Sequence, residues 1–82
     1  MKKIRITKIT DDAFEREHPN GINVGYVRVG YEINPPTLNE RYAVGAEKID
    51  RFAFSTSPIT QLPDENGVFK TLNSTYKLEY LD

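Results

Sequence analysis

Eighty-two residues, 38% hydrophobic and 28% charged, make one small domain over 1–82 and leave no material for a second core. Eleven basic residues against twelve acidic ones give a net charge of −1, without the basic excess of a dedicated duplex-DNA binder. The absence of cysteine excludes disulfides and thiolate metal sites, and it points to a reducing cytoplasm, because a secreted domain of this size usually needs such staples. Met1 to Ile6 carries basic residues with no apolar run behind them, so it does not read as a signal peptide. No apolar stretch approaches the roughly 20 residues of a membrane span.

Residues 2–10 alternate, with Ile4 and Ile6 on one face and Arg5 and Thr7 on the other. Their β-branched side chains predict a strand. Asp11 to His18 breaks that period. Asp12 stands three before Glu15, a capping pattern, so a short helical turn and an open loop are both readings of 11–18. Pro19-Asn20-Gly21 is a turn, because Asn-Gly suits positive φ. Ile22 to Ile33 is the longest strand candidate. Ile22, Val24 and Tyr26 share one face, and Val27, Val29, Tyr31 and Ile33 share the other. The apolar face changes near Gly25, as in a bent strand that serves two sides of a core.

Asn34-Pro35-Pro36-Thr37 ends that strand, since proline has no ladder donor. Arg41 to Val44 is a short strand, and Gly45 to Arg51 reads as a helical turn or a loop. Arg51 to Leu62 is extended, with Phe52 and Phe54 on one face and Pro58 marking an edge, a bulge or a break near Ser57. Pro63 to Gly67 closes a hairpin onto Val68 to Leu72. Asn73-Ser74 is a tight turn with positive φ expected at Asn73. Thr75 to Leu81 is the last strand, with Tyr76, Leu78 and Tyr80 on one face. Six or so short strands joined in sequence predict a mainly β fold with at most one or two helical turns. The expected architecture is a small antiparallel β-barrel or sandwich, an SH3-like barrel being one specific form.

Thr56-Ser57-Pro58-Ile59 and Thr71-Leu72-Asn73-Ser74-Thr75-Tyr76 form paired TSPI and T-x-N-S-x-Y blocks. These blocks resemble those of a set of small, uncharacterised β-rich proteins of phages and bacterial genomes. The resemblance covers residues 55–78 and implies a compact β fold in a phage or mobile-element setting. It brings no catalytic residues with it.

Chemistry is sparse. His18 is the only histidine, beside a turn proline and among charges, where it reads as a surface residue rather than a triad base. Asp11/Asp12 and Asp64/Glu65 sit in turn contexts, where acids bond to nearby backbone. Asp64-Glu65-Asn66-Gly67 looks like part of a calcium loop but lacks the later glutamate. No enzymatic activity, cofactor or metal is therefore expected. Thr56, Ser57, Thr71, Asn73 and Ser74 gather small hydroxyl and amide groups that suit a ligand or a peptide backbone, although such groups also satisfy turns locally. Arg41, Tyr42 and Arg51 join them as partner contacts, since Tyr and Arg are favoured at interfaces. The expectation is a non-catalytic binding protein with a protein partner, inhibition of a host defence protein being its sharpest form. A nucleotide or single-stranded nucleic-acid binder is the alternative, because aromatics alternate with cations at Tyr26/Arg28, Arg41/Tyr42, Arg51/Phe52 and Tyr76/Lys77. A virion component and a homo-oligomer remain further readings.

Overall fold

The computed structural model describes residues 2–11, 24–46 and 52–81. They form six strands: β1 (Lys3–Asp11), β2 (Val27–Glu32), β3 (Arg41–Gly45), β4 (Phe52–Gln61), β5 (Val68–Thr71) and β6 (Ser74–Tyr80). Each strand pairs antiparallel with the next, and β6 returns to pair with β1, which closes a barrel. Of the two expected architectures, the barrel is the one formed. Closure joins the first and last strands, which a sandwich would leave as edges.

The alternation read from the sequence sets the inside of β1 and β6. Ile4 and Ile6 face in, and across the ladder they stand opposite Tyr80 and Leu78. The core is Ile4, Ile6, Tyr42, Val44, Phe54, Ile59, Phe69, Tyr76 and Leu78. Its aromatic rings form a chain. Tyr42 meets Phe69 edge-on at 5.6 Å, Phe69 stacks on Tyr76 at 5.5 Å, and Tyr76 meets Phe54 at 6.0 Å. Tyr26 continues the chain, 5.9 Å from Phe54. These are the offset and edge-on geometries that aromatic quadrupoles favour.

The turns follow local chemistry. Asp64 Oδ1 accepts the backbone N–H groups of Asn66 and Val68. Gly67 then takes φ 81°. A Cβ there would lie 2.1 Å from the Leu78 carbonyl oxygen, so the hairpin requires glycine on steric as well as conformational grounds. Pro58 stands opposite Arg41, beside a bulge at which the β3–β4 register slips between Arg41 and Ala43. This is the irregularity that a proline inside a strand demands.

Two expectations need correction. Val27, Val29, Tyr31 and Ile33 do not serve the core. Tyr31, Val29 and Val27 stand opposite Lys3, Arg5 and Thr7 on β1, the outward set, and Val27, Val29 and Ile33 are 51%, 45% and 41% exposed. The inward positions of β2 are Arg28, Gly30 and Glu32, and the strand begins only after Gly25, which turns at φ 91°. The second correction concerns Asn73. Among the described non-glycine residues only Asn39, at φ 67°, lies in the left-handed region. The last hairpin turns at Leu72-Asn73, and Ser74 already belongs to β6. Hydroxyl groups, described below, hold this turn without a left-handed residue. The Asn20-Gly21 turn, the contact assigned to Arg51 and the helical-turn or loop readings of 11–18 and 45–51, apart from Asp11 and Gly45, which end β1 and β3, and Ala46, which follows β3, lie outside the described residues.

Candidate functional site

The structure brings the TSPI and TLNSTY blocks together, as expected of neighbouring strands. Ser57 Oγ accepts the Asn73 N–H at 3.3 Å and donates to Thr71 Oγ1 at 2.9 Å. Thr71 Oγ1 accepts the Ser74 N–H and donates to the Ser74 carbonyl, both at 3.2 Å. The relay therefore ends on a backbone carbonyl rather than on a base, and it pins the hairpin instead of activating Ser57 as a nucleophile. Thr56 is 1% exposed. Its Oγ1 accepts the Tyr42 backbone N–H at 3.1 Å. The bulge sets two β4 residues against Tyr42, so a side chain takes over the ladder acceptor that the bulge removes. Arg41 Nη1 donates to the Thr56 carbonyl at 3.3 Å. Thr56, Ser57, Thr71, Ser74 and Arg41 thus bond to one another and to backbone, and Asn73 and Tyr42 join them through their backbone N–H groups.

A second polar cluster was not anticipated. Glu32, 8% exposed, sits on the inner face of β2. Its Oε1 accepts the Tyr42 hydroxyl at 3.0 Å and the Tyr80 hydroxyl at 2.5 Å. Lys2 Nζ stands 5.1 Å above the Tyr80 ring, within cation–π range. Burial, more than the charge of Glu32 and its hydrogen bond, pushes the Tyr42 hydroxyl far above the usual tyrosine range. Burial, then the hydrogen bond to Glu32, pushes the Tyr80 hydroxyl up to about 12. Both phenols remain protonated donors at neutral pH, which suits a buried carboxylate that needs donors. Alternation groups Glu32 with Arg28 and Gly30 but does not say which set turns inward, so the sequence alone did not mark it.

The third feature is the outer face of β2. An open concavity of about 190 Å³ is lined by Lys3, Val29, Gly30 and Tyr31. Gly30 lies between Val29 and Tyr31 in this lining. A Cβ at Gly30 would point the other way, 2.4 Å from the Gly45 carbonyl oxygen and 2.8 Å from Val44 Cγ1. The close crossing of β2 and β3 therefore requires this glycine. Among the described residues, no group of three or more His, Cys, Asp or Glu is placed to hold a metal ion, and no helix is long and apolar enough to cross a membrane. No protein-family model, curated protein or solved structure matches the chain.

Proposed function

We propose that this chain is a non-catalytic binding protein that engages another protein, mole for mole, through the outer face of β2. The observation that carries the reading is the outward placement of Val27, Val29 and Ile33, 51%, 45% and 41% exposed. Burying a valine or isoleucine in full contributes about 1.5–3 kcal/mol, so three half-exposed side chains offer roughly 3 kcal/mol to a partner that covers them. The adjoining concavity of about 190 Å³ is smaller than the roughly 300–1,000 Å³ of a small-molecule pocket, and it suits a single side chain.

The competing nucleic-acid reading needs exposed rings on which bases stack. Tyr42 and Tyr76, two of the aromatics that alternate with cations in the sequence, are 1% and 5% exposed and belong to the core. The likeness of the TSPI and T-x-N-S-x-Y blocks to small phage and bacterial proteins supports a host protein, one of a defence system, as the partner, with inhibition by occupancy as the mechanism.

The test is capture from bacterial lysate with immobilised wild-type protein and with Val29→Glu, followed by a salt titration. Wild type should retain a protein that Val29→Glu loses, while both variants melt alike. Retention should change little from 50 to 200 mM salt, whereas an interface making several phosphate contacts would weaken by about 10³-fold or more. Equal capture by the two proteins, or recovery of nucleic acid alone, would refute the reading.

A further inference from the structure

Both side-chain hydrogen bonds of Glu32 fall on one carboxylate oxygen. The residue is 8% exposed, and its Oε1 accepts the Tyr42 hydroxyl at 3.0 Å and the Tyr80 hydroxyl at 2.5 Å. Among the described residues, no hydrogen bond ends on Oε2 and no cation pairs with Glu32. A buried carboxylate oxygen without a donor is costly, and two phenol donors leave its charge uncompensated.

The surroundings favour a cation. The Glu32 N–H donates to the Lys2 carbonyl at 2.8 Å, which holds Lys2 beside this end of the barrel. The Lys2 ammonium lies 5.1 Å above the Tyr80 ring, so the chain's own cation finds that ring, yet it makes no ion pair with Glu32. Tyr80 is 46% exposed and its hydroxyl bonds to Oε1. A solvent-facing ring therefore leads to the carboxylate.

We propose that the Glu32–Tyr80 end of the barrel binds a primary ammonium group, with Oε2 accepting its N–H and the Tyr80 ring flanking its charge. The single open oxygen selects among cations. A guanidinium pairs best with both oxygens of a carboxylate, and Oε1 is already engaged by two hydroxyls. An ammonium is a compact charge that one oxygen can take. A hard metal ion would want several oxygen ligands, and no group of three or more His, Cys, Asp or Glu stands ready among the described residues. The ammonium can belong to a lysine of another protein or to a free polyamine, and its chemistry at Oε2 is the same. Lys2 acts here as a competitor, since its charge shares the ring and repels a second cation. Glu32 faces in where Val27 and Val29 face out, so this site stands apart from the apolar stripe and does not rest on it.

The test titrates the intact protein at neutral pH with n-butylammonium, n-butylguanidinium and n-butanol, following amide and tyrosine ring shifts by NMR. Butylammonium should shift Lys2, Glu32 and Tyr80 with an affinity on the order of millimolar. Butylguanidinium should bind more weakly, and butanol should leave these signals in place. Glu32→Gln should weaken butylammonium about tenfold or more. Lys2→Ala, at an exposed position, should strengthen it about threefold, and this variant reads the site even if Glu32→Gln loosens the barrel. Spermidine and Nα-acetyl-lysine methylamide then separate the two sources: the tighter of them names the natural one, and either order supports the site. No shift at these residues, an equal response to butanol, preference for butylguanidinium, or a Lys2→Ala variant that binds no tighter than wild type overturns the inference.

Discussion

Glu32→Ala tests whether one buried carboxylate organises an end of the barrel. Glu32 Oε1 accepts both the Tyr42 and the Tyr80 hydroxyls, at 3.0 and 2.5 Å. Alanine removes that shared acceptor. The Tyr42 side chain, 1% exposed, is left with a buried donor lacking its partner, whereas Tyr80, 46% exposed, can turn its hydroxyl to water. A stranded buried donor costs about 1–3 kcal/mol, and a hydrogen bond to a charged group contributes about 1.5–3 kcal/mol. Relief of the carboxylate's own burial offsets part of this. The expected loss is about 2–4 kcal/mol, or a fall in melting temperature of roughly 10–25 °C for a domain of this size. Glu32→Gln keeps an acceptor oxygen and should lose about half as much. Thermal melts followed by circular dichroism decide the matter, in a double-mutant cycle with Tyr42→Phe. If the bond is made, Tyr42→Phe costs almost nothing further once Glu32 is alanine. An alanine variant that melts within about 2 °C of wild type would show that the phenols do not depend on Glu32.

The same cluster sets an alkaline limit. A tyrosine ionises near pH 10 in the unfolded chain, and both the Tyr42 and the Tyr80 hydroxyls are raised above that in the fold. Their contribution is therefore whole below pH 10 and drains away as pH rises through about 12 for Tyr80. Urea midpoints measured from pH 9 to 11 should fall, and should fall less in the Tyr42→Phe/Tyr80→Phe double variant; parallel slopes would remove these phenols from the account. Tyr76→Ala deletes a ring packed against both Phe54 and Phe69 and should cost about 3–5 kcal/mol in chemical denaturation, whereas a wild-type midpoint would place Tyr76 outside the load of the core. Thr56→Val keeps the shape but removes the acceptor of the Tyr42 backbone N–H, so about 1–3 kcal/mol should be lost. Ser57→Ala should lose about 1 kcal/mol or less, and equal losses in the two variants would contradict the role assigned to the bulge.

Much of the barrel was legible because period-two alternation in β1 and β6 coincides with burial. Ile4 and Ile6 are 0% and 1% exposed, and Tyr76 and Leu78 are 5% and 4%. Pro58 announced the bulge, and Asp64 to Gly67 announced its turn. The TSPI and TLNSTY blocks were legible as neighbours, but hydroxyl chemistry alone does not separate a ligand site from a hairpin clasp. That required the chain of bonds from Asn73 through Ser57 to Thr71. β2 was misread because alternation distinguishes two faces without saying which one turns inward. A slip of one residue exchanges them. Here Gly30 settles the register: only a residue without a Cβ fits against the Gly45 carbonyl.

The inversion of β2 has a volumetric cause. Eight strands give a barrel an interior just wide enough for its side chains, and six give less. The rings of Tyr42, Phe54, Phe69 and Tyr76 already form a continuous chain through this one. β2 turns inward with Gly30, which adds no volume, with Glu32, which receives the hydroxyls of Tyr42 and Tyr80, and with Arg28, only half-buried at the start of the strand. Its aliphatic residues are left outside. Strand propensity explains β-branched residues there, but threonine satisfies that preference as well as valine does, and Thr7 occupies the equivalent outward position opposite Val27. Folding thus accounts for branching at Val27 and Val29 and not for their lack of a polar atom. What a methyl group offers beyond a hydroxyl on an outer face is affinity for another apolar surface, and this is why we propose a binding face on β2 rather than on the polar clusters the sequence first suggests.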